Sequence, residues 1–404
     1  MSRTILDVHI LQTVPPSNLN RDDTGSPKTA VYGGVLRSRV SSQAWKRATR
    51  EAFGNLLHPN ELGVRTKKVA ELLAGRIIAL DSVSLKESEA LTAAAETITA
   101  ATGARIEPPK RKTANPAGSG AEGPAPESSY LMFLSARQLD ALAELAAEGL
   151  AGSGGLKAFF KDKENRARAK EAANSRHSVD IALFGRMVAD ASDINVDAAA
   201  QVAHAISVHA VENESDYYTA VDDRNTDSEP GAGMIGTVDF NSATLYRYAA
   251  VDVDRLHHNL GSGLRADQPG TEPVRRAVQA FVEGFVTSIP SGKMNTFANQ
   301  TLPDAVVVKL RTARPISFVG AFEDPVPLGG RHRSGGHVAG ACEKLADHVP
   351  GVERAFGAES GTSTWVVRVG DRTAALAGLG TEVGLGELVE AVGEAVVSRL
   401  EPRG

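Results

Sequence analysis

The chain contains a single cysteine, Cys342, so no disulfide can form within it, and the thiol fits a reducing compartment. It has no apolar run near the ~20 residues that cross a bilayer. Its first residues, MSRTILDVHI, lack the long apolar core and cleavage site of a secretory signal. These absences predict a cytoplasmic protein without a membrane partner. Aromatic residues make up only 5% of the chain, few for a module that reads bases by stacking on aromatic platforms. No P-loop, nucleophile triad or HD dyad is visible, and nothing calls for a cofactor. A large charge imbalance is missing too: the net charge of −5 and pI near 6.1 argue against indiscriminate coating of nucleic acid. What remains is ordinary for a globular protein, with 42% hydrophobic and 23% charged residues in 404. That length suits two or three domains, or one domain with large insertions.

One segment departs from this background. Asn18 to Arg50 carries Arg21, Lys28, Arg37, Arg39, Lys46, Arg47 and Arg50 against Asp22 and Asp23, a local charge of +5 inside an acidic protein. Glycines, serines and amides separate the charges, and such groups approach and hydrogen-bond phosphate oxygens. The pattern therefore predicts a surface for a polyanion and not a plain basic tail. A helix is expected from Ser41-Ser42, either of which can cap it, to about Phe53. Gln43, Lys46, Arg47 and Arg50 then share one face, while Trp45, Ala48 and Ala52 seat another face on a core.

Before this helix, Thr4–Gln12 reads as a buried strand, and Asn18–Arg39 as a long loop or hairpin with turns at Gly25, Pro27 and Gly33-Gly34. From about Arg65 to Thr102 the pattern is helical. Pro108–Ser129 is a proline-rich loop opening on Lys110-Arg111-Lys112. A helix capped by a Ser135/Gln138 box follows Tyr130–Leu134, and a second basic stretch runs from Leu156 to Arg176. Val202–Val211 and Thr244–Val251 read as strands joined by an acidic, polar stretch with Tyr217-Tyr218 near its start. Val274, Val278, Phe281 and Phe285 mark a helix ended by Pro290. Ala305–Leu310 and Thr364–Val369 are strands, Gly329–His337 is an exposed loop, and a helix from about Glu387 to Leu400 closes the chain.

Without its insertions this order is strand, helix, strand, strand, helix, strand. It predicts an α+β fold with a ferredoxin-like or RRM-type βαββαβ core. The expected division is 1–58 (first strand, basic loop and helix), 59–195 (helical insertion), 196–211 (a core strand), 212–242 (β-rich insertion) and 243–404 (core continuation and C-terminal region). RRM sheets commonly bind single-stranded RNA, but the fold alone hosts many activities.

Several strings resemble one known family. LNRDD (Leu19–Asp23), Lys28, AVYGG (Ala30–Gly34) and RSRVSSQAWKRATR (Arg37–Arg50) look like the N-terminal signature of CasC, the backbone subunit of the type I-E CRISPR interference complex, Cascade. VDIALFGRM (Val179–Met187), AHAISVHAVENESDYYTAVDD (Ala203–Asp223), FNSATLYRYA (Phe240–Ala249) and SIPSGKMNTFA (Ser288–Ala298) follow in the family's order. The resemblance covers most of the chain to about Leu310, but not the Pro108–Ser129 loop. It implies a hand: an RRM-like palm, helical fingers from the first insertion and a thumb from the second. Copies would line up in a helical filament along a CRISPR RNA and present it for pairing with target DNA, beside the subunits CasA, CasB, CasD and CasE. Carried over residue by residue, the RNA contacts fall on Arg21, Lys28, Ser41, Ser42, Gln43, Lys46 and Arg50. Met187 and the pair Tyr217 and Tyr218 take finger and thumb positions near the guide. Phosphate and sugar contacts suit a subunit that must accept any spacer sequence.

Other readings stay open. Lys157, Lys161, Lys163 and Lys170 are candidates for target-DNA contact, but Asp162, Glu164 and Glu171 among them equally describe a solvated helix face. Asp22-Asp23 reads as a turn or an ion pair more readily than as a metal site. His204 and His209, five apart, miss the helical zinc spacing and read as core or interface residues. Related backbone subunits cut RNA with a loop aspartate, which makes Asp180 the residue to inspect for a metal-dependent ribonuclease. Its setting within VDIALFGRM resembles the non-catalytic pattern, so the expectation is a protein that is not an enzyme.

Overall fold

The structure is a computed structural model that describes residues 3–108, 125–188, 192–220, 234–261, 270–328, 336–357 and 361–401. The expected features Lys110-Arg111-Lys112, His332 and the acidic residues from Asp222 to Glu229 lie outside these. The chain divides into two compact units. One holds residues 1–53, 200–253 and 275–404, the other 54–199 and 254–274.

The first unit is built on a sheet whose centre is the strand Ile5–Ser17. Its branched apolar residues are buried on both faces, as a strand deep in a sheet requires. It pairs antiparallel with Met234–Asp252 on one side and Ala305–Arg311 on the other, with Ile10 opposite both Arg247 and Val306. Beyond Met234–Asp252 come Ala205–Ser207 and the hairpin Thr29–Tyr32/Val35–Val40; beyond Ala305–Arg311 comes Ser363–Arg368. Numbered by chain order, the four core strands lie side by side as 4-1-3-2. Helices Ser42–Leu56 and Thr271–Thr287 fall between strands one and two and between three and four. This is the ferredoxin-like arrangement.

The expected strand Val202–Val211 is two short strands, Ala200–Val202 and Ala205–Ser207, with exposed His204 at the break touching Arg39 (3.2 Å). Period-two alternation persists through such a break, so the sequence conceals it.

The two sheet faces are covered differently. Arg247 projects from one face under Trp45 and Phe285, its guanidinium 3.7 Å and 4.6 Å from their ring centres, so the two crossover helices close that side. On the other face His9, Tyr246 and Tyr248 meet Phe318 and Phe322, with His9 4.6 Å from Phe318 and Tyr246 5.2 Å from Phe322. Helix Gly336–Ala355, through Val338, Cys342, Leu345 and Val349, completes this layer. Its Glu353 reaches Lys309 (2.9 Å) and Arg311 (3.1 Å), and Arg311 also pairs with buried Asp7 (2.7 Å). His337, expected in an exposed loop, starts this helix and stacks on buried His209 at 3.6 Å.

The second unit is mainly helical. Val69–Ile78, Glu87–Thr102, Ala136–Ala151 and Lys163–Asn174 pack through Leu73, Ile77, Ile98, Leu139, Leu142 and alanines. The capping box is present: Ser135 Oγ accepts from the Gln138 amide and Gln138 Oε1 from the Ser135 amide, both at 3.0 Å. Helix Val253–Gly261, within the stretch assigned to the core continuation 243–404, is held here from Asp254 onward. Asn259 donates to the carbonyls of Ala182 and Asp197, and Arg255 pairs with Asp197. No helix of the described residues is long and apolar enough to cross a membrane.

Candidate nucleic-acid interface

In the first unit a small hydrogen-bonded hub ties the loop that carries Arg21 and Lys28 to the start of the helix that carries Ser42, Gln43, Lys46 and Arg50. Asn20 Oδ1 accepts from the Ser41 amide (2.9 Å), and its carbonyl accepts from the Lys28 amide (2.8 Å). The basic loop is thereby closed and tied to the start of helix Ser42–Leu56. Ser41 is buried and caps the helix, its Oγ accepting from the Ala44 amide at 3.3 Å. Ser42, Gln43, Lys46, Arg47 and Arg50 follow on the outer side, Gln43 and Arg47 exposed and the others partly so. Trp45, Ala48, Thr49 and Phe53 are buried; Ala52 is half-buried.

Gly292 presses on the same loop. A Cβ there would lie 2.1 Å from the Leu19 carbonyl oxygen, so only glycine fits. Strings 273 positions apart (Leu19 and Gly292) thus meet at Leu19-Asn20. Between them lies an open groove of about 580 Å³, walled by Arg21–Gly25, by Ala44, Arg47, Ala48 and Glu51 of the helix, and by Pro290–Gly292.

Not every cation of the segment faces solvent. Arg37 is fully buried and donates to the carbonyls of Tyr32, Ser207, Phe322 and Glu323, at 2.9 to 3.1 Å. Arg39 donates to the Thr29 carbonyl (3.1 Å) and Arg47 pairs with Glu51 (2.8 Å). Arg21, Lys28 and Lys46 have no side-chain partner among the described residues. Partial burial draws the Lys46 pKa down, so its charge is incompletely solvated. Asp22 is spent on its own turn: its carboxylate accepts from the amides of Thr24 and Ser26 and from the Thr24 hydroxyl (2.7 Å), which together hold its pKa down. This is the turn reading of Asp22-Asp23.

Tyr217 and Tyr218 lie on a two-stranded arm in which Glu214–Ala220 pairs with Met234–Phe240. Neighbours in a strand point to opposite faces, so the arm presents one ring on each side. Tyr217 is 60% exposed, and Tyr218 lies across Gly236, its cross-strand partner. In the second unit, Met187 is 85% exposed beside deeply buried Arg186. Arg186 donates to the carbonyls of Ile194, Phe133 and Ala173, so it holds the turn that projects the methionine. Lys157 and Lys170 form surface ion pairs with Glu96 (3.7 Å) and Asp193 (3.3 Å), while Lys161 and Lys163 are exposed without a partner among the described residues. Asp180 is buried, and its Oδ1 accepts from the Gly63 amide, the Ser178 hydroxyl and the Ile181 amide at 2.6 to 3.1 Å.

The sequence does not reveal the hub residue Asn20, or the anchoring roles of Arg37, Arg186 and Arg247. Nor does it reveal that the sheet face is closed: His9, Tyr246 and Tyr248 sit on the first and third core strands and are all buried. RNA cannot stack there as on an open RRM sheet.

The first unit thus joins a ferredoxin-like sheet with one face sealed to a basic loop–helix surface and a two-stranded arm. The family model for CT1975-like proteins matches residues 6–391, and the chain belongs to that family. It is similar to a solved structure described as "CRISPR RNA-guided surveillance complex, pre-nicking", with 34% identity, 97% of this chain and 100% of that chain covered, and a TM-score of 0.79. A second, described as "CRISPR RNA-guided surveillance complex", shares 30% identity over 96% and 99% of the chains, at a TM-score of 0.68. No curated protein matches the chain.

Proposed function

We propose that this protein is the non-catalytic, guide-RNA-binding backbone subunit of a type I-E Cascade. Copies of it would assemble along CRISPR RNA with CasA, CasB, CasD and CasE and present the guide to target DNA. The observation that carries the reading is the hub at Leu19-Asn20. It ties the basic loop that carries Arg21 and Lys28 to the Pro290–Gly292 turn and to the start of the helix that carries Lys46, and these three side chains have no partner among the described residues. Such cations grip phosphates without reading bases. The two similar structures come from RNA-guided surveillance complexes, which supports the same reading. The non-catalytic part is supported by Asp180, whose carboxylate is buried and engaged by backbone and hydroxyl donors.

Purification of the chain co-expressed with a CRISPR array and its partner subunits tests this. A large particle with one RNA of uniform length is expected. A nucleic-acid-free monomer under those conditions would overturn the proposal.

A further inference from the structure

The arm and the basic loop are joined at one side chain. Asp239, on the Met234–Asp252 strand, holds the Ser215 hydroxyl across the arm (2.6 Å) with one carboxylate oxygen. With the other it holds the Ser26 hydroxyl of the basic loop. Its carbonyl also accepts from Asn18 Nδ2, which donates to the Gly25 carbonyl as well, both at 2.9 Å. Asn18 is fully buried. Asp239 thus touches the loop that carries Arg21 and Lys28 and, in the same carboxylate, the root of the arm that carries Tyr217 and Tyr218. One end of the loop is fixed to the helix cap through Asn20 and Ser41, and the other to the arm.

We infer that Asp239 is a positioning residue that couples the seating of RNA on the Arg21–Lys28 loop to the order of the Glu214–Ala220/Met234–Phe240 arm. The inference rests on the RNA-binding reading above. Charged phosphate drawn against Arg21 and Lys28 stiffens the loop, and the Ser26–Asp239 bond passes that restraint to the arm strand that carries Asp239, while the Asp239–Ser215 bond lies within the arm. The two hydroxyls meet different oxygens of the carboxylate, so each bond can be removed separately.

The test uses the full chain and an oligoribonucleotide short enough to hold one copy, with amide exchange of the arm strands read with and without RNA. In wild type, binding should slow exchange of the arm amides about tenfold, the effect of one well-made hydrogen bond to a charged group. Ser26→Ala and Asp239→Ala should keep RNA affinity within about threefold and an unchanged salt slope, because every phosphate keeps its cation, yet abolish the slowing. Ser215→Ala, which leaves the loop link intact, should keep it. Asp239→Asn, whose amide can still meet both hydroxyls, should restore it. Slowing in Ser26→Ala equal to wild type, or its equal loss in Ser215→Ala, would overturn the coupling. Wild type that binds RNA without any change in the arm overturns the coupling and leaves the RNA reading standing. Wild type that does not bind RNA overturns both.

Discussion

Cations of one short segment divide by what their side chains already hold. Lys46 has no partner among the described residues and lies on the outer helix face with Arg50, whereas Arg37 spends its guanidinium on four carbonyls. Lys46→Ala or Arg50→Ala should weaken RNA binding equally for all guide sequences, and the salt slope should fall by ~0.7 for each phosphate that loses its cation. The double reversal Lys46→Glu with Arg50→Glu should abolish guide retention with Trp45 still seated. Filter binding across a salt series checks both, and wild-type binding by the double reversal would remove this helix from the RNA track. Arg37→Leu should instead lower stability by roughly 3 kcal/mol, because several buried carbonyls lose their donor, as thermal unfolding would show. Acid provides a second test. Burial lowers the pKa of His209 to about 4, and its Nε2 accepts from the Thr244 amide while the other nitrogen faces the Ala210 carbonyl. The unfolded chain binds a proton near pH 6.5 and the folded one only near 4, so stability falls as pH drops through that window. The loss should reach up to about 3 kcal/mol. His177, also lowered to about 4 by burial, acts the same way in the helical unit. His209→Gln should flatten part of the acid slope in denaturant titrations; an unchanged slope would show that His209 does not carry it.

Elements that touch across long stretches of chain are where substitution should be least tolerated. Gly292→Ala places a methyl group on the Leu19 carbonyl, so the 288–299 turn or the basic loop must move. A loss of about 1–3 kcal/mol in stability is expected, with RNA affinity falling as well because Arg21 sits on the displaced loop. Calorimetry and RNA titration of the same preparation check the pair, and unchanged values in both would refute the close approach. The same elements show what could be read beforehand. The buried central strand, the capped helix with its basic face and the Ser135/Gln138 box follow from local periodicity and capping chemistry, which short windows carry in full. Helix Gly336–Ala355 is hidden by the glycine-rich start GGHVAGA and by Pro350 inside it, both of which read as breakers. The hub is hidden for a different reason. Asn20 finds the Ser41 amide only once the loop closes, and Asn18, Ser26 and Asp239, ordinary polar residues in sequence, are linked to one another across 213 and 221 positions. Arg37 and Arg247 mislead in the opposite direction, since a charged residue in a basic segment or on a strand gives no sign of carbonyl-lined burial.

At the scale of the whole molecule, the arm is the part expected to act between copies, because residues 214–219 are exposed and the arm leaves Tyr217 and Ile235 60% and 63% exposed, apolar surface that gains from being covered. Joining Ser215 directly to Ser242 would also remove Asp239 and Asn241, and Asn241 accepts from the Ser38 hydroxyl inside the sheet unit. A cleaner variant closes the ribbon at the Tyr217–Thr237 pair with a two-residue turn, keeping Ser215, Asp239 and Asn241. It should fold as a monomer that fails to build an ordered array on guide RNA, seen as loss of the large particle in light scattering. Wild-type particle mass and nuclease footprint from this variant would refute an arm-linked filament. Assembled wild-type protein given complementary RNA or DNA with magnesium or manganese should leave every strand intact. Divalent-dependent cutting abolished by Asp180→Ala would reverse the non-enzymatic reading.

The placement of the strands also governs how the protein is made. Ile5–Ser17 pairs with segments ending at Asp252 and Arg311, and its aromatic side is roofed by residues 336–355. At roughly 5–20 residues per second of synthesis, the first strand leaves the ribosome about 15–60 s before its last neighbour exists. Most of the second unit, residues 54–199, is one unbroken run of chain and can begin to settle during that interval. For most of translation, therefore, the nascent chain carries an unclosed strand with His9 bare, a natural client for ribosome-bound chaperones. A message truncated before codon 336 would yield a product with Tyr246 and Tyr248 unroofed, marked for quality control by that surface alone.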